Sequence, residues 1–225
     1  LHANPLLNRI LAARGLSEPT QADLSLSQLL PPDALSNLPQ AVELLMFAIA
    51  ENRRIVVVGD FDCDGATGTA VAVRGLRMLG AQQVLFKVPH RVRHGYGLTP
   101  GLVDELAEFK PELIITVDSG IACIPGVALA KQKGYTVLVT DHHLPGEHLP
   151  AADAIVNPNL GGDAFASKAM AGVGVTATAG AVGVGADDDG PELLLVQEAA
   201  LRLHRVGVLG AGHGGRAADL AGGDD

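Results

Sequence analysis

The chain has 225 residues, 48% of them hydrophobic, and a formal net charge of −9, enough apolar material for one large domain or two small ones. No apolar run approaches the ~20 residues that span a bilayer, and the opening Leu1-His2-Ala3-Asn4-Pro5 lacks the charged and apolar regions of a secretory leader. Two cysteines, Cys63 and Cys123, make neither a disulfide framework nor a CxxC metal site, so the expectation is a globular, cytoplasmic protein with reduced thiols. Its acidity argues against a free-standing nucleic-acid clamp, though not against a nuclease whose carboxylates are neutralised by metal ions.

In chain order, Leu6-Leu7, Ile10-Leu11, Leu24, Leu26 and Leu29-Leu30 predict short helices ending at Pro31-Pro32, an N-terminal lead-in over residues 1–40. Ala41–Ala50 reads as a helix and Ile55–Val58 as a buried strand of the parallel kind, apolar at every position. Thr67–Leu79 predicts a helix closed by Gly80, and Val84–Pro89 a strand. The alternation continues with a helix over Leu102–Phe109, a strand over Leu113–Val117, a helix over Val127–Lys133 and a strand over Thr136–Thr140. This βα rhythm predicts an α/β fold: a doubly wound, mostly parallel sheet with helices on both faces, occupying residues 41–175.

Polar groups recur where the strands stop. Asp60, Asp62 and Asp64 follow the first, Asp118 the third, and Asp141-His142-His143 the fourth. Sites in open α/β sheets form outside the carboxyl ends of the strands, so these groups are expected to converge. Three carboxylates on one turn repel unless a cation or a raised pKa relieves them, and a D-x-D-x-D turn can aim several oxygens at shared ions. Taken singly, each cluster has a plainer role: Asp62 and Asp64 can cap the following helix, Asp118-Ser119-Gly120 can form an Asx turn, and His142-His143 can be surface residues. Gly65 and Gly68 lack the Gly-Lys-Ser/Thr ending of a phosphate loop. After the second strand, Arg91, Arg93 and His94 add cations at the same edge, with phosphate as a plausible target, although the stretch also suits an ordinary basic loop. Cys63 reads as filler between carboxylates, since a thiolate suits softer metals.

Together, Val56–Gly65, His94-Gly95-Tyr96-Gly97-Leu98, Val117-Asp118-Ser119-Gly120 and Thr140-Asp141-His142-His143 resemble the DHH phosphoesterases. With Ile155–Asn159 and Ser167–Val175 added, the pattern is similar to the RecJ branch of single-strand-specific DNA exonucleases over roughly residues 5–175. The resemblance implies a two-metal hydrolase that uses Mn²⁺ or Mg²⁺ to degrade single-stranded DNA from the 5′ end to mononucleotides in recombination and repair. It also implies single-stranded DNA as partner, together with a single-strand-binding protein and a RecQ-type helicase. By the same carry-over Asp62, Asp64, Asp118 and His142 are metal ligands, with Asp118 as the bridge. Asp60 and His143 are catalytic, supporting metals, substrate or proton transfer, and Arg91, Arg93 and Tyr96 bind phosphate or base. Alternatives within the resemblance are a phosphodiesterase of short oligonucleotides or cyclic dinucleotides and a non-catalytic binding module.

After Val175 the composition changes. Residues 176–225 hold 11 glycines and no Lys, Ile, Ser, Asn, Met, Cys or aromatic residue, and only Pro191–Leu203 has a helical pattern. The expectation is a divergent tail, produced by a change of reading frame near the codons for residues 175–177. The last acidic metal ligand of the family is then missing from a truncated chain, since Asp219 lies in a poor match to its motif.

Overall fold

The computed structural model describes residues 2–19 and 30–182. The expectations for Leu24, Leu26 and Leu29, for Pro191–Leu203 and for Asp219 fall outside the described residues.

Five parallel strands form one sheet: β1 (Ile55–Val58), β2 (Val84–Lys87), β3 (Leu113–Val117), β4 (Thr136–Thr140) and β5 (Ala154–Val156), in the spatial order β2-β1-β3-β4-β5. In register, Val57 pairs with Phe86 on one side and Ile115 on the other, and Val117 pairs with Thr140. Among the described residues six α-helices accompany them: α1 (Pro5–Ala13), α2 (Leu38–Ala50), α3 (Cys63–Met78), α4 (Pro100–Leu106), α5 (Ile124–Gln132) and α6 (Gly172–Val182). No helix among the described residues is long and apolar enough to cross a membrane.

Alternation along each strand divides the core into two layers, because successive side chains point to opposite faces. Val57, Ile115 and Leu138 pack with Leu45 of α2, Leu76 of α3 and Val175 of α6. Val56, Ile114 and Val139 pack with Leu102 and Leu106 of α4 and Val127 of α5. Helices therefore cover both faces, as expected, and this explains why the central strands are apolar throughout instead of alternating. Helix α1 buries no side chain, and the lead-in joins this core only at its end, through Leu35 and Leu38.

Several element limits differ from the expectation for identifiable reasons. Helix α3 begins four residues before Thr67 because the Asp62 carboxylate accepts the Gly65 N–H at 2.9 Å and caps it, making the acidic turn the helix's own first turn. Helix α4 begins at Pro100 under a Thr99 cap, and its last residues tighten into a 3₁₀ turn over Ala107–Phe109. The β5 strand is three residues long and gives no run to recognise. Helix α6 is built from Gly, Ala, Val and Thr without an amphipathic stripe, and it continues past Val175 to Val182, across the change of composition.

Small residues let the layers approach. A Cβ on Gly126 of α5 would overlap the Leu98 carbonyl oxygen and lie 2.6 Å from its carbon, so α5 sits directly on the backbone leading into α4. Replacing a helical glycine by alanine ordinarily gains up to about 1 kcal/mol of helix propensity, but overpacking against immovable backbone costs roughly 1–3 kcal/mol or more. Gly126→Ala is therefore expected to lower the stability of the fold by about 1–2 kcal/mol, read as a lower urea midpoint at unchanged slope; a midpoint at or above that of the parent would contradict this packing.

Candidate metal centre and substrate cleft

The chain leaves β1 for β2 on one side and later returns to β3 on the other, so the connections that follow β1 and β3 run in opposite directions and a crevice forms outside the carboxyl ends of these two strands. Asp60 lies two residues beyond β1, Asp118 directly after β3 and Asp141 directly after β4. The structure brings all three to the same end.

Asp118 is the most constrained. It adopts a left-handed backbone conformation with φ of 57° and is 1% exposed, a conformation that non-glycine residues hold only when their surroundings enforce it. Its backbone carbonyl accepts the Tyr96 hydroxyl at 3.0 Å. His142 Nε2 stands 3.0 Å from Asp118 Oδ1, an ion pair when the imidazole is protonated, and apart from that contact the buried oxygen has no hydrogen-bond partner among the described residues. Burial and the neighbouring Asp64 and Asp62 carboxylates push the Asp118 carboxyl up to about 6, with only the His142 imidazole opposing them. An orphaned buried carboxylate oxygen between an imidazole and further acids fits a divalent cation that no other side chain replaces.

Two sets of potential ligand atoms meet at this residue. Asp60, Asp62 and Asp118 offer oxygens that lie within 4.8 Å of one another, and so do the ligand atoms of Asp118, His142 and His143. Asp118 belongs to both. Burial raises the Asp60 carboxyl, and the like charge of Asp62 adds to this, against the opposing Phe61 N–H. Asp64 behaves differently. Its two oxygens accept the Gly172 and Val173 N–H groups, each at 2.9 Å, so it caps α6 while remaining 3.8 Å from His142 Nε2. Each carboxylate oxygen keeps a second lone pair, which leaves Asp64 able to face an ion with α6 attached.

Asp141, which the sequence placed in the cluster without a ligand role, organises the histidines. Oδ2 accepts the Ile121 N–H at 2.9 Å, and Oδ1 accepts the His142 N–H at 2.7 Å and meets His143 Nδ1 at 2.7 Å. Burial favours its neutral form, but the His143 ring and the backbone N–H groups outweigh that and hold the carboxyl below its ordinary value. The contact assigns the proton to His143 Nδ1, and Asp141 raises the His143 pKa in return. The backbone after β5 supports the pair from behind, with Asn157 Nδ2 donating to the His143 carbonyl at 2.9 Å and Asn159 Nδ2 to that of His142. These asparagines were legible only as part of the family motif. Lys168, from the Ser167–Val175 stretch, is structural: its ammonium reaches the Pro158 and Asp163 carbonyls at 2.6 and 2.8 Å.

Beside these groups lies a cleft of about 640 Å³ lined by Asp60, Phe61, Asp62, Arg91, Gly95, Tyr96 and His143. The Arg91 guanidinium rests 4.6 Å above the Phe61 ring, and Tyr96 meets both Phe61 and His143 edge-on. Arg93 is not among the lining residues; it pairs with Glu105 at 2.8 Å. Of the three substrate-binding candidates, Arg91 and Tyr96 reach the cleft and Arg93 turns to α4.

Residues 54–200 match the model of the DHH family, N-terminal domain. The single-stranded-DNA-specific exonuclease RecJ of Dickeya dadantii is 53% identical over 170 residues, covering 76% of this chain and 30% of that protein. That of Escherichia coli is 49% identical over 171 residues, with the same coverage. Among solved structures, exonuclease RecJ bound to manganese superposes with a TM-score of 0.60 at 34% identity, covering 79% of this chain and 48% of the other. RecJ in complex with Mn²⁺ from Thermus thermophilus gives 0.58 at 31%, covering 90% and 28%. The chain thus spans 30% of the length of these curated relatives.

The raised pKa values have a consequence for stability. Asp118 in the fold (about 6, against an ordinary 3.8), His142 and His143 all bind protons more tightly folded than unfolded. Their stabilisation is complete below the unfolded values and is lost as pH rises through the folded ones. In chelator these groups are therefore expected to withdraw stability as pH rises, Asp118 contributing on the order of 3 kcal/mol between about pH 4 and 6 and the two histidines acting above 6.5, and Asp118→Asn should flatten the dependence. Thermal melts against pH test this, and a metal-free protein that grows steadily more stable from pH 5 to 8 would contradict it. A Cβ on Gly172 would come within 2.8 Å of Asp118 Cγ, so Gly172→Ala is expected to weaken Mn²⁺ binding by roughly 10- to 100-fold in calorimetric titration.

Proposed function

Since the chain belongs to the DHH family, whose N-terminal-domain pattern it carries across residues 54–200, we propose that it contributes the metal centre of a two-metal phosphodiesterase acting on single-stranded DNA. The reaction we assign is exonucleolytic hydrolysis from the 5′ end to mononucleotides, in recombination and repair. The observation that carries this reading is Asp118 Oδ1, a buried carboxylate oxygen with no hydrogen-bond partner among the described residues, on a side chain shared by two clusters of potential ligands.

In this proposal Asp60, Asp62 and Asp118 hold one Mn²⁺ or Mg²⁺, and Asp118 and His142 hold the other, with Asp64 sharing its oxygens between ion and α6. Manganese is the ion named for the two similar solved structures, and the oxygen-rich donor set suits either metal. Such a pair of ions supplies Lewis acidity for water activation and for the leaving oxygen of an in-line displacement. The chain's own groups do the rest. His143, with Nδ1 tied to Asp141, presents Nε2 to the cleft and can carry a proton there. Arg91 supplies the cation of the cleft for a substrate phosphate, and its stacking on Phe61 fixes the direction from which it approaches. Tyr96, its ionisation suppressed first by burial and then by Asp141, Asp60 and Asp118, remains a neutral donor to the Asp118 carbonyl.

The net charge of −9 fits this division of labour, because the ions offset the carboxylates before a polyanion approaches. A single-strand-binding protein and a RecQ-type helicase are the partners this reading adds, and they rest on the family resemblance alone.

The test is metal titration of this chain together with nuclease assay of the full-length protein. Two Mn²⁺ are expected to bind, and Asp118→Ala should abolish at least one and lower release of mononucleotides from 5′-phosphorylated single strands by at least about 100-fold. Full-length protein that releases no mononucleotides with Mn²⁺ present would rule out the exonuclease assignment, and a chain that binds no divalent ion would rule out the metal centre.

A further inference from the structure

The segment between β2 and α4 carries Arg91 and Tyr96 into the cleft, yet its tip is solvent-facing, with Val92 88% exposed. A surface loop places a guanidinium reproducibly only if something fixes its backbone. Tyr96 fixes one end through the Asp118 carbonyl. The other end is held by Glu105 of α4, which gathers three nitrogen donors. Its Oε1 receives Arg93 Nη2 at 2.8 Å and His94 Nε2 at 2.8 Å, and its Oε2 lies 3.0 Å from Lys87 Nζ at the end of β2.

His94 makes this more than a cluster of surface ion pairs, each of which alone contributes little. Its side chain is 7% exposed although it lies in a loop. The His90 N–H donates to its Nδ1 at 2.9 Å, which assigns the proton to Nε2, the nitrogen facing Glu105. The imidazole thus bridges the start of the turn to α4, and the turn is closed by the Arg93 and His94 N–H groups on the His90 carbonyl. Arg91 lies inside that closed turn. Hydrogen bonds from His94 and Lys87 hold the Glu105 carboxyl down to about 2, so the anchor stays ionised.

We propose that Glu105 is a positioning residue for substrate: through His94 and Arg93 it holds the 90–96 turn so that Arg91 stands over Phe61 at the cleft. The inference rests on the exonuclease reading for its kinetic consequence and on the geometry alone for the tether. It also gives Arg93 a role consistent with its direction, as a clamp instead of a phosphate contact.

The experiment combines hydrogen exchange on this chain with steady-state kinetics on the full-length protein, for the parent, Glu105→Gln, Arg91→Ala and the double variant. In Glu105→Gln the amides of residues 91–96 are expected to exchange faster while those of the β1 and β3 strands do not change. KM for a 5′-phosphorylated single strand should rise roughly five- to tenfold, with kcat and Mn²⁺ stoichiometry unchanged. The double variant should be no worse than Arg91→Ala alone, because both act through one guanidinium. Unchanged exchange at 91–96 in Glu105→Gln would overturn the tether, and fully additive KM effects would overturn its action through Arg91. If the parent enzyme shows no nuclease activity, the exonuclease reading fails separately and the exchange result alone decides the tether.

Discussion

A carboxylate removed from water is stable only as a neutral acid, or beside a cation or a set of hydrogen-bond donors. Asp118 has none of these in full: it is buried, one of its oxygens is unpartnered among the described residues, and further carboxylates lie close by. Much of the surrounding structure consists of what is needed to keep it there. The left-handed backbone at φ of 57° turns the chain sharply at the end of β3. The Tyr96 hydroxyl satisfies the carbonyl that this turn leaves over, and Gly172 gives way where any Cβ would strike the carboxylate. An ion is the one component that would complete the balance.

Helix α6 shows how the fold accommodates the excess negative charge. Its first N–H groups point at Asp64, so the positive end of the helix lies beside the acidic cluster. To reach that place α6 must press close to α3, and the sequence permits it at Gly68, where a Cβ would meet Val117 Cγ1 at 2.6 Å and the Val173 backbone at 3.4 Å. The helix is tied to the sheet as well, through Thr176 Oγ1, which lies 2.9 Å from Thr140 Oγ1, while Thr140 donates to the Thr116 carbonyl. A segment distant from the first acidic turn in sequence is thereby part of the same electrostatic unit.

How much of this the sequence reveals depends on the range over which each feature is encoded. The strands β1, β3 and β4 are legible because burial on both faces demands unbroken β-branched runs, and the acids are legible because they stand immediately after those runs. The beginning of α3 is not, since its first turn is polar and Asp62 serves both as cap and as acid, so the same residues satisfy two descriptions. Helix α6 has no apolar stripe to detect, because its buried contacts are made by small side chains packed on several sides. Arg91 and Arg93 look equivalent two residues apart in one basic stretch. Only the fold separates them, by setting Phe61 under the first and Glu105 against the second.

The two ends of the 90–96 turn are held by different kinds of contact, and the difference has a physical sense. Tyr96 is bound to a backbone carbonyl of the residue that joins both clusters of potential ligands, so any movement of Asp118 is felt directly by the aromatic wall of the cleft. Glu105 belongs to α4, packed on the opposite face of the sheet from α3 and α6, and it therefore ties the cleft to the second layer of the fold. Charge repulsion among Asp60, Asp62, Asp64 and Asp118 acts on the β1 and β3 ends and on α6, while the Arg91 guanidinium is referenced to α4. A site assembled this way can gain or lose ions at one wall without surrendering the position of the cation at the other.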